Sequence, residues 1–264
     1  MLRLGLIGYG KAGQAVAGVL RDDPRFDLRW VARRSAADDI DLPTVELDAA
    51  TFGHWLDRHP VDGIVDFSGA DSVLAYGEAI RRRGICLVTA ISSYPAATLD
   101  YLHSLGRDIA VMASPNITLG INFLMLASRM LRRIAPFADI EIVEQHFREK
   151  PEISGTARKL AETLDVRDEH ITSLRLGGIV GHHEVIFGFP HQTVRLIHNS
   201  IRREAFGTGA AFAIDQLSRL GPGFYSFDQL LLQLISDELQ HEIELGTIKP
   251  AFPDSSGRRD RLPA

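Results

Sequence analysis

Leu2-Arg3-Leu4-Gly5-Leu6-Ile7-Gly8-Tyr9-Gly10-Lys11-Ala12-Gly13 is an apolar run of strand length that stops at a G-x-G-x-x-G. Val16, Val19 and Leu20 then recur at helical spacing. A strand turning through glycines into a helix is the context in which that pattern has physical meaning. Gly8 permits the tight turn, Gly10 lets backbone approach a pyrophosphate, and Gly13 lets helix and strand pack closely. Phosphate there meets unpaired N–H groups and the positive end of the helix dipole. Lys11 and Ala12 complete the turn and are taken with the three glycines as cofactor contacts.

Outward from this turn, strand candidates recur at residues 28–32, 63–68, 85–89 and 109–112, with helix candidates at 72–83 and 96–105 that stop at Gly84 and Gly106. Alternation of this kind predicts a Rossmann-like α/β fold, a doubly wound parallel sheet. Beyond Asn116 the pattern changes to a helix at 122–134 and then to strand-like segments at 140–147, 173–180, 183–188 and 193–199 with fewer helices between them. Consecutive strands without crossovers predict an α+β substrate and oligomerisation domain with an open mixed sheet. Residues 205–220 and 227–242 read as helices. The expected division is 1–116 for dinucleotide binding, with 225–245 returning to it, 117–224 for substrate and oligomerisation, and 250–264 as a flexible tail.

About 20 residues past Gly13, where an acidic residue usually holds the ribose hydroxyls, the chain has Ala32-Arg33-Arg34-Ser35. Arginine meets phosphate with paired, charge-assisted hydrogen bonds. The expectation is NADPH held at its 2′-phosphate by Arg33 or Arg34 with Ser35, NADH remaining open as the other cofactor. Two solvated surface arginines are the plainer alternative. Ser68 and Ala90, at the ends of the third and fourth strand candidates, join the cofactor-binding set.

The 264 residues carry a net charge of −5, with 45% hydrophobic and 24% charged residues. That is enough apolar material for two modest cores, and it lacks the basic surface that nucleic acid or an anionic membrane demands. The one cysteine, Cys86, sits in an apolar run and reads as a small buried hydrophobe, so no disulfide framework is expected. With no signal-peptide pattern or membrane-length apolar stretch, a cytoplasmic location is the default expectation. His182 and His183 are adjacent on a strand candidate and so point to opposite faces, and no metal site is assigned.

The densest chemistry lies in Glu144-Gln145-His146-Phe147-Arg148-Glu149-Lys150-Pro151-Glu152-Ile153-Ser154-Gly155-Thr156-Ala157. Proton donors end a strand, and Ser154, Gly155 and Thr156 precede a helix at 157–164, where backbone N–H groups and two hydroxyls can clamp a carboxylate or simply cap the helix. Asn116, at the crossing between the two patterns, is either a substrate contact or a turn former after Pro115.

This segment resembles the E-x-H-H-x-x-K and S-G-T-A of 4-hydroxy-tetrahydrodipicolinate reductases, enzymes of bacterial lysine biosynthesis. The resemblance continues through the glycine turn, Ser114-Pro115-Asn116 with Gly120 and Asn122, Gly178-Ile179-Val180-Gly181-His182-His183, and Phe206-Gly207-Thr208-Gly209-Ala210. It implies His146 and Lys150 as catalytic residues, Ser154, Gly155 and Thr156 as the carboxylate-binding loop, NAD(P)H as hydride source, and a homo-oligomer, tetramer or dimer, built through the second sheet. Phe147 stands where the family has a second histidine, and the loop from Lys150 to Ser154 is one residue short. A phenylalanine there is expected to make the pocket more apolar. The expected activity is reduction of a cyclic imine or conjugated C=C of a small carboxylic acid. A paralogue acting on a different imine acid, an L-aspartate dehydrogenase and a non-catalytic NADPH-binding sensor stand as alternatives.

Overall fold

β1 (Leu2–Ile7) buries Leu4, Leu6 and Ile7, as a strand covered on both faces must. In this computed structural model, which describes residues 1–33 and 41–247, the chain continues through α1 (Lys11–Asp22), β2 (Phe26–Arg33), β3 (Thr44–Glu46), α2 (Phe52–Arg58), β4 (Gly63–Asp66), α3 (Ser72–Arg81), β5 (Cys86–Thr89), α4 (Ala96–Leu105) and β6 (Ala110–Ala113). It then crosses to α5 (Leu119–Ile134), β7 (Asp139–His146), α6 (Gly155–Leu164), β8 (Ile171–Arg175), β9 (Gly181–Phe189) and β10 (Gln192–Ser200), and closes with α7 (Glu204–Leu217), β11 (Gly223–Tyr225) and α8 (Phe227–Glu244).

Among the described residues, seven strands form an all-parallel sheet in the order β11-β6-β5-β4-β1-β2-β3. α1 turns Gly13, Val16, Ala17 and Leu20 inward, the i, i+3, i+4, i+7 stripe of a helix lying on a sheet. With α7 and α8 it covers one face, in a core that includes Leu4, Leu6, Val65, Val88 and Ile214. α2, α3 and α4 cover the other over Trp30, Ile64, Tyr76 and Leu87. The strand order reverses between β1 and β4, and ligands of such sheets bind outside the carboxyl ends of the strands at that point.

Four strands form the mixed sheet β10-β9-β7-β8, with β7 and β8 parallel and the other pairs antiparallel. α5 and α6 pack on one face of it. β7 alternates strictly, sending Ile140, Ile142, Glu144 and His146 to the helix-covered side. On β9, Phe187, Val185 and His183 stand opposite Ile140, Ile142 and Glu144, so His183 shares their face. One covered face therefore begins as apolar core and ends, toward the carboxyl end of β7, in ionisable groups.

Three departures from the sequence reading have physical causes. β3, α2 and β11 are short elements absent from it, two of them three-residue edge strands. The strand expected at 173–180 stops at Arg175, because the chain turns through Gly177 at φ +48°. Residues 117–224, expected together, divide: α7 packs on α1 and the first sheet, and β11 pairs with β6. No helix among the described residues is long and apolar enough to cross a membrane.

Candidate active site

The turn between β1 and α1 has the space a pyrophosphate needs. Gly8 sits at φ +89°, where a Cβ would lie 2.7 Å from the Phe67 carbonyl and the Ser68 nitrogen. At Gly13 a Cβ would overlap the Gly8 carbonyl oxygen, so that glycine serves packing. Gly10 caps α1 without a side-chain hydrogen bond, and a Cβ there would meet nothing within 4 Å, so the helix N-terminus faces open space. A depression of about 420 Å³ is bounded by Gly8, Tyr9, Gly10, Arg33, Ser68 and Ser72. The Arg33 guanidinium lies over the Tyr9 ring at 5.4 Å. Lys11 does not border this space, and Arg34 and Ser35 lie outside the described residues. Ser68 is fixed by buried Asp66, which accepts hydrogen bonds from its N–H at 2.8 Å and its hydroxyl at 2.5 Å, and a third from Tyr76 at 2.5 Å. Burial pushes the Asp66 carboxyl up, against the pull of those donors.

Phe67 and Ser68 also line a neighbouring space of about 270 Å³ with Ala12, Ala90, Ser92 and Pro115. Ser92 and Pro115 in turn border a cleft of about 640 Å³ that contains Asn116, His146, Lys150, Ser154, Gly155 and Thr156. The structure thus brings every expected catalytic and substrate-binding residue to one cleft, which shares Ser92 and Pro115 with the space beside the glycine turn. Asn116 forms the corner. Its carbonyl accepts hydrogen bonds from Ser114 Oγ at 2.7 Å and Asn122 Nδ2 at 2.8 Å, its Oδ1 accepts from the Thr118 N–H at 3.1 Å, and its Nδ2 donates to Thr156 Oγ1 at 3.4 Å. It is both the turn former and a wall of the cleft.

Glu144, with no exposed surface, is the centre of charge. It accepts hydrogen bonds from Arg175 Nη1 at 3.0 Å and Nη2 at 2.8 Å, Ser173 Oγ at 2.7 Å, His146 Nδ1 at 2.5 Å and the Ser154 N–H at 3.2 Å. Burial alone would raise its carboxyl; the donors outweigh burial, Arg175 and Ser173 foremost, and hold it at about 2. Ionised Glu144 keeps the His146 proton on Nδ1, which leaves Nε2 as the lone-pair nitrogen of the neutral ring. Arg175 also donates to the carbonyls of Lys150 at 3.0 Å and Glu152 at 2.7 Å, anchoring the loop that presents Lys150.

Ser154 begins α6 but does not cap it; its hydroxyl shares a hydrogen bond of 2.8 Å with His183 Nε2. Burial, then the His146 and His198 imidazoles, lower His183 to about 3. Phe147 corrects an expectation. Its side chain is 42% exposed and does not line the cleft, so the missing second histidine adds no apolar wall there. Glu144, Arg175 and His183 were given no role from sequence. The strand-end segment and the glycine-flanked His182-His183 pair contained two of them, and nothing local marked Arg175.

A doubly wound sheet with an open glycine turn, leading into a cleft of proton donors and a helix N-terminus, defines a nicotinamide-dependent oxidoreductase acting on a small molecule. A family model described as "Dihydrodipicolinate reductase, C-terminus" matches residues 118–231, and the 4-hydroxy-tetrahydrodipicolinate reductase of Clostridium perfringens is 30% identical over 196 residues, 64% of this chain and 76% of that protein. The chain belongs to the 4-hydroxy-tetrahydrodipicolinate reductase family, as a divergent member. The corresponding protein of Caldanaerobacter subterraneus subsp. tengcongensis is 28% identical over 255 residues, 88% of this chain and 98% of its own length. The fold is shared with a dipicolinate-bound dihydrodipicolinate reductase from Paenisporosarcina sp. TG-14 at a TM-score of 0.74 and 21% identity, covering 86% of this chain and 97% of that one.

Proposed function

We propose that this protein uses NADPH to reduce the C=N or conjugated C=C bond of a small cyclic imino acid of the dihydrodipicolinate type. The supporting observation is that the depression at Gly10, the small space beside it and the cleft of His146, Lys150 and Ser154 adjoin through shared lining residues. Bound nicotinamide supplies hydride, the chemistry that belongs to the cofactor. The protein's part is to bind, orient and protonate. The N–H groups at the start of α6 with the Ser154 and Thr156 hydroxyls hold a substrate carboxylate, and Asn116 borders the same space. Lys150 Nζ gives a proton to the end of the double bond that does not receive hydride. His146, its Nδ1 pinned by Glu144, presents Nε2 to polarise the substrate or return a proton.

Two further assignments belong to the proposal. The parallel sheet with α7 and α8 forms the dinucleotide-binding unit, and the mixed sheet with α5 and α6 the substrate unit. The sheet face away from α5 and α6, which presents Arg195, Ile197 and Asn199 of β10, packs against a second copy.

Purified protein should oxidise NADPH when given 4-hydroxy-tetrahydrodipicolinate, and dipicolinate should compete with that substrate. Lys150→Ala should lower turnover by roughly 10²-fold with NADPH affinity intact, the size expected for loss of a general acid. Arg33→Ala should raise the KM for NADPH far more than that for NADH. Absence of turnover with that compound while NADPH binds would redirect the search to other cyclic imino acids. Near-normal turnover of Lys150→Ala would remove Lys150 from the chemistry.

A further inference from the structure

Ser154 is placed to cap α6, yet its hydroxyl is spent on His183 at 2.8 Å instead. His183 is 4% exposed, lies on the covered face of β9, and meets the His146 ring edge-on at 5.3 Å between centroids. Its other nitrogen, Nδ1, is buried and has no hydrogen-bond partner among the described residues. A neutral imidazole offers one N–H and one lone pair. With the proton on Nε2, His183 donates to Ser154 Oγ and frees the hydroxyl proton for another acceptor. With the proton on Nδ1, it accepts that hydroxyl proton itself. In His146 the choice is made by Glu144 at Nδ1. No such group at Nδ1 of His183 sets the choice, so the acceptor that Ser154 meets on its other side decides it.

We propose that His183 is a positioning residue which acts through Ser154, holding its hydroxyl as a hydrogen-bond donor toward the carboxylate of a ligand in the cleft. An arriving carboxylate accepts from Ser154 Oγ, Oγ accepts from His183 Nε2–H, and the imidazole stays neutral throughout. Burial and the adjacent His146 and His198 imidazoles oppose its charging, so His183 contributes direction and no charge of its own. The inference rests on the proposed role of Ser154 to Thr156 as carboxylate clamp.

Calorimetric titration of dipicolinate into the NADPH-loaded protein separates the two. For wild type, Ser154→Ala, His183→Ala and the double variant, the expected result is about a tenfold weakening in each single variant and no further weakening in the double, the coupling of residues that act through one another. His183→Gln, whose amide can still donate to Oγ, should recover part of the loss, and NADPH affinity should stay at the wild-type value throughout. If His183→Ala loses NADPH binding, His183→Gln and His183→Asn carry the comparison in both backgrounds. Wild-type dipicolinate affinity in the His183 variants, or losses that multiply with Ser154→Ala, would overturn the inference and leave the clamp standing. No dipicolinate binding by the wild-type protein would overturn the clamp and, with it, this role for His183.

Discussion

Two buried groups near one another, Glu144 and His183, solve the cost of burial in opposite ways. Glu144 keeps its charge because donors converge on it, whereas His183 gives its charge up. Both choices tie the stability of the site to acid. The native Glu144 carboxyl titrates at about 2 against an ordinary 4.5, so an unfolded chain takes up the proton first. The stability Glu144 contributes is full above pH 4.5 and is lost as pH falls toward 2. His183 titrates at about 3 against an ordinary 6.5, so its share begins to be lost already below pH 6.5. The groups around it are the His146 and Glu144 side chains of β7, His182 and Glu184 of β9 and His198 of β10. The window from pH 6 to 4.5 should therefore distinguish His183. In urea unfolding, the advantage of wild type over His183→Gln should shrink by up to about 1.4 kcal/mol per pH unit there, the slope of one proton. A constant difference would mean that His183 already carries its proton in the folded protein.

At the scale of elements, the strand–turn–helix at the amino terminus was legible because every part of it is local. An apolar run, three glycines and a helical stripe lie within twenty residues, and their spacing is their geometry. The turn also makes a sharp demand on Gly13, whose hydrogen faces the Gly8 carbonyl. Gly13→Ala should push α1 off the turn, weaken NADPH binding tenfold or more by fluorescence titration, and leave the second sheet folded. Retained affinity would show that α1 can move away at little cost. The ring of donors around Glu144 was not legible in the same way. Arg175 reaches Glu144 across 31 residues of sequence, because β7 and β8 pair with Glu144 opposite Ser173 and His146 opposite Arg175. Strand register is a long-range property, set by which faces become buried. His146, Lys150 and Ser154 to Thr156 could be singled out from a continuous stretch, whereas Arg175 and His183 became part of the site only through the sheet. Phe147 erred in the opposite sense: it is next to His146 in sequence, but it lies just past the end of β7, exposed and outside the cleft.

For the whole molecule, the change of pattern after Asn116 announced a second sheet, but not that α7 and β11 would come back to the first. α7 is readable as a helix, and nothing in its composition names α1 as its neighbour. Its return matters because Phe206 of α7 borders the space between the depression at the glycine turn and the cleft of His146 and Lys150, alongside Ile117 from the crossing. The two ends of the site are thus built by different sheets and joined by shared walls, Ser68 at one junction and Ser92 with Pro115 at the other. Ligands at the two ends should consequently bind as coupled partners, each finding part of its site ordered by the other, and coupling of this kind is reciprocal. A ligand held at a hundred times its Kd stabilises a protein by about 2.7 kcal/mol. For a chain of this length that corresponds to a rise in Tm of roughly 5 °C. NADPH alone should produce a shift of that size, and dipicolinate alone a smaller one. Both together should exceed the sum of the two, and the Kd for dipicolinate should fall by the same factor on adding NADPH as the Kd for NADPH does on adding dipicolinate. Strictly additive shifts, with each Kd indifferent to the other ligand, would mean that the glycine turn and the cleft of His146 and Lys150 do not work as one site.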